Sequence, residues 1–471
     1  MPELLARSSP RGRLTLATVT LGSGVALLDG TVVNVAVKWI GVDLHASLAQ
    51  VQWVVTGYLL SLAALILVGG SLGDRIGRRR VYTLGVAGFG VLSGLCALAQ
   101  TPTQLIVLRV FQGVFAALLT PGSLAILQSS FRPEDRAWAI GRWAGVSGIA
   151  AALGPVVGGY LIDHGGWRWI FVLNLPICAL VLWLARFVPE SRDESRAGRF
   201  DIAGAAAGVA LLGAATYAST SWRTLPGSVS AVVLAVAAAS AYAFVRLERR
   251  PGSMVDLGLF ASRVFSAANG MTFLVYGALG AGQFLLALQL QVTSGYGPVE
   301  AGVASLPIVL AMLLLSSRFA VISQHTGPRI WMSVGPVVCA VGYLLLAGVG
   351  ADAPYWSRVF PGISIFAFGL SMLVAPLTAA VLAAAPDRQA GLASGINNAV
   401  ARTGSLIAVA AIPALVGLAG ADYHRPGSLT AGYQRGQVVC ALLLLIGGVV
   451  SWFGLREHGV RQTLTTMTGD S

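Results

Sequence analysis

The sequence predicts an all-α membrane protein that crosses the bilayer fourteen times. Of the 471 residues, 56% are hydrophobic and only 11% are charged, and the mean hydropathy is +0.76. Soluble domains carry about 25% charged residues, so this chain cannot cover itself with a water-facing surface. The apolar residues form long runs, each close to the ~20 residues that cross a ~30 Å hydrocarbon core as a helix. Lipid is therefore expected to be the main solvent of the protein.

The apolar runs are the predicted spans 1 to 14, numbered from the N-terminus. They cover residues 15–37, 52–71, 81–100, 105–127, 139–162, 169–188, 201–219, 229–247, 264–291, 299–322, 330–350, 356–384, 397–419 and 437–456. Lipid offers no partner for free backbone groups, which excludes bare strands and loops. A porin-like barrel is excluded too, because its strands span about 10 residues and alternate in polarity. The first run is too long for a cleavable signal peptide and lacks an A-x-A exit.

The distribution of lysine and arginine predicts the orientation. With the N-terminus in the cytoplasm, 23 of the 31 Lys and Arg residues fall on the cytoplasmic side and 6 on the outer side, while Arg109 and Arg402 lie within spans. Cytoplasmic loops of membrane proteins are enriched in these residues, so both termini are predicted to be cytoplasmic. The net charge of +12 is a sign of this topology. We expect no nucleic-acid binding, because the arginines are scattered over many short loops.

The spans fall into three predicted domains. Residues 1–188 hold six spans, residues 189–263 hold a charged linker and two extra spans rich in Ala and Gly, and residues 264–471 hold six spans and a short cytoplasmic tail. Two six-helix halves are a common plan among secondary transporters. The pattern therefore favours two bundles with an inserted helical hairpin.

A weak internal repeat supports two related halves. Gly77 and Arg79 follow span 2, and Gly327 and Arg329 follow span 10 at equal offsets. The acid of the first copy, Asp74, has no counterpart in the second. The repeat therefore favours two homologous six-helix halves.

Asp29, inside span 1, is the first candidate for chemistry. A carboxylate at the centre of a transmembrane helix costs about 2.5–3.5 kcal/mol on insertion scales, so we expect it to face the interior or a wet cavity. Burial disfavours the ionised form and a nearby cation favours it. A carboxylate that alternates between such environments can take up a proton on one side and release it on the other. The alternative is a packing role, in which Asp29 bonds to Asn34 or to another helix.

Arg109, in span 4, is the second charged candidate. Gln112 lies three residues further on and shares its helix face, which favours an interior role in tuning an acid or ordering water. The alternative is snorkelling, because Arg109 is only a few residues from the outer end of its span.

The segment after span 2 is a candidate charge latch. It contains Gly70, Asp74, Arg75, Gly77 and Arg79. The glycines predict a tight cytoplasmic turn, and the acid can pair with the arginines. The alternative is ordinary positive-inside charge, which requires neither Asp74 nor the glycines.

Span 5 contains a small-residue motif made of Gly154, Pro155, Gly158 and Gly159. Pro155 removes a helix hydrogen bond and predicts a kink. The spacing of Gly154 and Gly158 allows another helix to approach closely. The alternative is packing without a further role.

Several polar or aromatic residues within spans are candidates for a substrate cavity. They are Asn34, Gln112, Gln283, Phe284, Gln289, Asn397 and Asn398. Glu300 and Arg402, near predicted span ends, are either interfacial anchors or cavity groups. The four cysteines are isolated, so we expect no metal site. No histidine cluster, nucleophile–base pair or P-loop is visible, so we expect no cofactor and no enzymatic activity.

These motifs resemble those of a known family. Gly70–Arg79 resembles the major facilitator signature G-x-L-a-D-R-x-G-R-[RK], and Arg109 with Gln112 and Gly113 resembles the fourth-span motif of that superfamily. The motif Gly154–Gly159 is similar to the fifth-span motif of antiporters. Four further segments resemble motifs of the fourteen-span drug:proton antiporters: Leu28–Ala36, Gly166–Pro176, Gly295–Gly302 and Ala393–Asn398.

The resemblance covers nearly the whole chain and implies a major facilitator fold with alternating access. It implies proton-driven export of hydrophobic or cationic small molecules, such as drugs and antibiotics, across a bacterial inner membrane. Proton coupling is implied at Asp29 and Arg109, a cytoplasmic gate at the segment from Gly70 to Arg79, and a helix contact favouring antiport at Gly154–Gly159. The family pattern usually continues Ala-Leu-Pro after the first-span motif, where this chain has Ala36, Val37 and Lys38.

Two other functions stay open. One is export of a single host metabolite, such as an antibiotic, a siderophore or an amino acid. The other is a non-transporting role as a sensor or as a subunit of a partner pump. We expect a monomer, because two bundles already enclose one pathway.

Overall fold

The structure is a computed structural model that is all-helical and describes residues 4–192, 201–221, 226–250, 255, 257–386, 389–418 and 425–455. The first group of helices is α1 (Pro10–Asp43), α2 (Leu48–Ile76), α3 (Arg78–Ala97), α4 (Pro102–Ser130), α5 (Pro133–Gly165), α6 (Trp169–Val172) and α7 (Asn174–Ala185). The intermediate pair is α8 (Ile202–Ser221) and α9 (Gly227–Glu248). The last group is α10 (Arg263–Leu288), α11 (Pro298–Val303), α12 (Leu306–Thr326), α13 (Pro328–Leu346), α14 (Phe360–Ala383), α15 (Ala390–Leu415) and α16 (Pro426–Gly454).

Within the described ranges, 13 helices are long and apolar enough to cross a membrane, and Trp169–Ala185 is a shorter apolar helix. The chain is therefore a multi-pass membrane protein. Every predicted span overlaps one of these helices, with span 6 divided at Leu173 between α6 and α7. Residues 193–200 of the predicted linker and residues 456–471 of the predicted tail lie outside the described residues.

Most helices extend beyond the apolar runs, because polar residues cap them outside the hydrocarbon. Ser47 and Gln50 form a reciprocal capping box at the start of α2, and Thr101 accepts a hydrogen bond from the Gln104 amide at the start of α4. These extensions correct the position of Arg402. The sequence put it near the start of a span, but it lies at the middle of α15.

The predicted gate turn is shorter than expected. Gly70, Asp74 and Arg75 lie in the last turns of α2, so the helix continues through most of the motif. Only Gly77 lies outside the helices, with a φ of 120° that favours glycine. Glycine is common inside transmembrane helices. The glycines before Gly77 therefore lie in α2, and the turn is shorter than the glycine pattern predicted.

The predicted repeat corresponds to two similar turns. Gly327 separates α12 from α13 with a φ of 81°, as Gly77 separates α2 from α3. Arg79 Nη1 donates to the Val188 carbonyl just after α7 at 3.1 Å. Arg329 Nε donates to the Trp452 carbonyl near the end of α16 at 2.9 Å. In both groups the arginine two residues after the glycine ties this turn to the last helix.

The helices of the two groups also pair in similar ways. In the first group α2 packs on α4, and α1 packs on α5; in the last group α12 packs on α14, and α10 packs on α15. Helices α8 and α9 pack on each other, and α8 also contacts α2 and α15. We call the end where α1 begins the terminal end, and the end where α1 finishes the far end.

The two groups meet closely at the far end. Lys38 Nζ, late in α1, donates to the Gln291 carbonyl at 2.6 Å, and Gln291 Nε2 donates back to the Val35 carbonyl at 2.9 Å. Gln52, early in α2, donates to the Val409 carbonyl of α15 at 3.2 Å. These contacts close the far end of the interface between the groups.

The face of α5 that looks toward the last helix group shows that the interface opens toward the terminal end. Gly159 contacts Pro298 of α11, so this part of the face is packed against the last group. Gly148, Gly145 and Gly141 follow at near-helical spacing on that face. A Cβ built on any of these three would have no neighbour within 4 Å. The groups therefore diverge into a cleft at the terminal end.

Candidate functional site

A buried ion pair lies at the core of the first helix group. Arg109 Nη1 of α4 contacts Asp29 Oδ2 of α1 at 2.5 Å, and the two side chains are 1% and 0% exposed. Both charges are thus removed from lipid and from water. The snorkelling alternative for Arg109 does not hold, since its guanidinium points into the bundle.

Two amides complete the coordination of the Asp29 carboxylate. Asn174 Nδ2 of α7 donates to Asp29 Oδ1 at 2.9 Å, and Gln112 Nε2 donates to the same oxygen at 3.4 Å. Gln112 Oε1 accepts a hydrogen bond from Arg109 Nη1 at 2.7 Å. The partners of Asp29 thus come from two other helices, α4 and α7, which the packing alternative also allowed, and Asn34 is not among them.

An outer layer holds this network in place. The Tyr58 ring lies 4.3 Å from the Arg109 guanidinium carbon, and Arg109 Nε donates to the Val54 carbonyl at 3.2 Å. Ser93 accepts a second hydrogen bond from Asn174 Nδ2 at 2.8 Å. Burial and multiple contacts therefore fix the position of both charged groups.

Sequence reasoning did not single out Asn174, Ser93 or Tyr58 as site residues. Asn174 belongs to the segment Gly166–Pro176. Its polar amide within an apolar span was the feature of the sequence that could have identified it. Its Oδ1 is buried and has no hydrogen-bond partner in the structure. Asn174 thus carries an unused acceptor beside the acid.

The small-residue motif connects this site to the other helix group. A side chain at Gly154 would collide with Thr31, and one at Gly158 with Val32, so these glycines bring α5 close to α1 next to Asp29. Pro155 and Gly159 lie on a neighbouring face, about 100° around the helix, and contact α11. Helix α5 therefore touches both the Asp29 segment and the last group.

Two gate residues, Asp74 and Arg79, form charge contacts within the first group. Asp74 pairs with Arg78 at 2.8 Å. Glu190, which follows α7, accepts a hydrogen bond from the Arg79 amide at 3.0 Å and lies 3.7 Å from the Arg79 side chain. The sequence analysis had named Arg75 and Arg79 as possible partners of Asp74, and it did not single out Arg78 or Glu190. Glu190 stands in the predicted linker, so nothing local pointed to it.

The remaining cavity candidates are dispersed. Phe284 and Gln289 are buried inside the last group, where Gln289 Nε2 donates to Thr430 and to the Val349 carbonyl. Asn397 donates to Asn269 and Thr272 of α10, whereas Asn398 is exposed.

Three candidates stand apart from these. Gln283 and Asn34 are partly buried. Glu300 accepts a hydrogen bond from the Gly297 amide at the start of α11, so it caps a helix at the far end. The structure therefore gathers Asp29, Arg109 and Gln112 into one cluster, and none of the other candidates hydrogen-bonds to it among the described residues.

Comparison with known proteins identifies relatives along nearly the whole chain. A family profile described as the Major Facilitator Superfamily matches residues 19–409. The Methylenomycin A resistance protein of Bacillus subtilis is 34% identical, with 96% of each chain covered. The Multidrug resistance protein Stp of Mycobacterium tuberculosis is 34% identical over 85% of this chain and 75% of that protein.

A solved structure shows the same fold. It is a bacterial homolog of the human lysosomal transporter Spinster in an inward-facing, unoccupied conformation. It superimposes with a TM-score of 0.66 at 18% identity and covers 95% of this chain and 97% of that one.

Proposed function

The chain belongs to the Major Facilitator Superfamily, and from this membership we propose that it exports hydrophobic small molecules, including antibiotics, in exchange for protons. A secondary transporter of this kind is not an enzyme. The observation that carries the proton coupling is the buried Asp29–Arg109 pair. Proton relays in transporters use acids buried at membrane depth.

The setting of Asp29 suits proton exchange because its three partners all donate. Arg109, Gln112 and Asn174 each direct an N–H group at the carboxylate, which matches an acceptor-only, ionised acid. A proton on Asp29 would meet one of these donors and would displace it. Rotation of the Asn174 amide would then present its unused Oδ1 as an acceptor for the new O–H group.

Coupling follows if the proton and the substrate favour different states of the protein. A ligand shifts a conformational equilibrium only by its differential affinity for the two states. Protonation weakens the ties from Asp29 to α4 and α7, and α1 lies against α5, which contacts the other helix group. Loss of those ties is therefore transmitted to the far-end contact between the groups.

The proposal includes the orientation and the setting of the molecule. With both termini in the cytoplasm of a bacterium, the cleft at the terminal end faces inward, and Lys38 and Gln291 close the periplasmic side of the inner membrane. The transporter functions as a monomer of two six-helix bundles, residues 1–188 and 264–471, with residues 189–263 as an inserted hairpin and linker.

A second candidate function is export of one specific compound. It is favoured by the relative from Bacillus subtilis, whose name refers to resistance to a single antibiotic, methylenomycin A. Transport of only one member of a chemically varied panel would support this candidate.

The test is transport in proteoliposomes under an imposed pH gradient, with pyrene-labelled anionic, neutral and cationic probes. We expect the wild type to move probe against the proton flow and Asp29→Asn to fall to the rate of empty liposomes while still binding probe. The matched control is Asp43→Asn at the far end of α1. Asp43 pairs with Arg168 at the surface, where its side chain is 47% exposed, so transport should persist.

Full gradient-driven transport by Asp29→Asn would show that the coupling acid lies elsewhere. Transport by the wild type that ignores the pH gradient would refute proton coupling altogether.

A further inference from the structure

Arg402 occupies the middle of α15 and faces α2. One heptad before it, Gly395 meets Leu67 of α2, where a Cβ would lie 3.4 Å from that side chain. One heptad after it, the Val409 carbonyl accepts a hydrogen bond from Gln52 of α2. Residues seven apart return to nearly the same helix face, so Arg402 projects toward the interface between the two helix groups.

The electrostatic neighbours of Arg402 place its charge in the protein interior. They are Tyr58 of α2 and Tyr276 of α10, which belong to different helix groups. Tyr58 also lies against Arg109, next to the Asp29 site. Arg402 thus stands where the two groups face each other, and Tyr58 neighbours both Arg402 and the buried ion pair.

Arg402 has no counter-ion among the residues that the structure describes. The ion pairs there join Arg109 with Asp29, Arg78 with Asp74, and other arginines with surface acids, and none includes Arg402. Its side chain is only partly buried, so it reaches open space. A cation at the middle of a transmembrane helix is costly unless it meets water or an anion.

Within the described residues, the interior offers no free acid to balance this charge. Both oxygens of Asp29 are engaged by donors. Asn398, one turn before Arg402, is exposed and adds an amide that can donate as well. This part of the interface is therefore positive and rich in donors, which disfavours the cationic substrates expected from the family resemblance.

We propose that Arg402 binds an anionic group, such as a carboxylate, of the exported molecule. The substrate class is then hydrophobic organic anions, with the apolar part held between the helix groups. Arginine suits this role, because its planar guanidinium offers paired donors to a carboxylate. The inference rests on the proposed export function.

The test is equilibrium binding to protein in nanodiscs at constant pH, without a gradient. The probes are 1-pyrenebutyrate, 1-pyrenebutanol and 1-pyrenebutyltrimethylammonium, which share an apolar part and differ in charge. We expect the wild type to bind the carboxylate most tightly. Arg402→Gln should raise the Kd of the carboxylate by about tenfold or more, the effect of losing one charge-assisted hydrogen bond, and should leave the alcohol unchanged.

Two variants separate this effect from misfolding or from a general change in charge. Arg402→Lys keeps the cation but loses the paired donors, so its carboxylate binding should fall between that of the wild type and that of Arg402→Gln. Arg435→Gln removes an exposed arginine of α16, which bonds only within its own helix at Ala431, and should bind all three probes as the wild type does.

Equal losses for the carboxylate and the alcohol in Arg402→Gln would overturn the inference, as would preferred binding of the trimethylammonium probe by the wild type. Absence of carboxylate binding by the wild type also counts against it. Carboxylate binding that depends on Arg402, without gradient-driven transport in proteoliposomes, would refute the proposed export and leave the anion site standing. Proton-driven export by a wild type that binds the three probes with equal Kd would refute the anion site and leave the proposed export standing.

Discussion

At the scale of single residues, the Asp29–Arg109 pair bears on stability as well as on the proposed proton exchange. A buried ion pair is weak support for stability, but removal of one partner leaves an uncompensated charge. If Arg109 is lost, Asp29 still accepts hydrogen bonds from two amide groups. If Asp29 is lost, Arg109 keeps only the Val54 carbonyl and the Gln112 amide oxygen as acceptors. Either loss should therefore be felt beyond the transport cycle.

The pair should show strong energetic coupling. Arg109→Leu should lower the free energy of unfolding by about 3–5 kcal/mol, the usual cost of leaving one buried charge unpaired. The double variant Asp29→Asn/Arg109→Leu should recover part of that loss, because no charge remains unpaired. Thermal unfolding of purified protein, followed by intrinsic fluorescence, measures all four members of the cycle. Additive effects of the two substitutions would show that the pair is not coupled.

At the scale of helices, α5 connects the Asp29 site with the far-end contact. Its glycines at 154 and 158 bring it against α1, and Pro155 and Gly159 lie against α11. Helix α5 is continuous through Pro155 from Pro133 to Gly165. A continuous helix with two packed faces can transmit movement of α1 to the other group.

A large side chain at Gly159 should force the far end apart. Gly159→Leu places a side chain against the Pro298 backbone, so the closed far end becomes unfavourable. Val42→Cys and Trp356→Cys place spin labels at two exposed far-end positions on different groups. Double electron–electron resonance should show a longer distance between these labels in Gly159→Leu than without that substitution.

The control for this prediction is Gly213→Leu in α8, where a Cβ meets no atom within 4 Å. It should leave the distance distribution unchanged. An unaltered distribution in Gly159→Leu would show that this contact does not hold the far end closed.

At the scale of the whole molecule, the described structure corresponds to one state of the proposed transport cycle. The far end is closed by hydrogen bonds from Lys38, Gln291 and Gln52, and the cleft at the terminal end is open beside Gly141, Gly145 and Gly148. Alternating access requires the reverse arrangement as well. The unfilled glycine face of α5 would allow α12 to approach closely in that second state.

The orientation and the open cleft can be tested together by cysteine labelling. The four native cysteines are buried, so introduced thiols dominate the signal. An impermeant maleimide should label Gly148→Cys in inside-out vesicles and not in intact cells, and it should label Val42→Cys in intact cells only. The reverse pattern would invert the proposed topology. Protection of Gly148→Cys from both sides would mean that the cleft is closed in the membrane.

Much of the fold could be read from the sequence, since helix formation in lipid depends on local composition. Each predicted span overlaps an observed helix, and the glycines after span 2 predicted the turn that the structure has at Gly77. The family also followed from local motifs and is confirmed by the matched profile. Errors arose at helix ends, where caps such as Ser47 extend the helix beyond its apolar run.

The candidate site was predictable only in part. Charges inside spans identified Asp29 and Arg109 separately, because a charged side chain at membrane depth is energetically costly and usually functional. Nothing local showed that they bind each other across 80 residues of chain, or that Asn174 joins them from α7.

The sequence alone determined which segments enter the membrane, their order, and which interior residues are costly to bury. Only the tertiary structure decided the partners of Asp29, the contact of Glu190 with Arg79, and the end at which the cleft opens. It also decided that Arg402 lies in the interior without a counter-ion among the described residues. The reason is physical: hydropathy acts on each segment independently, whereas pairing of buried charges and closure of one end depend on how distant helices pack.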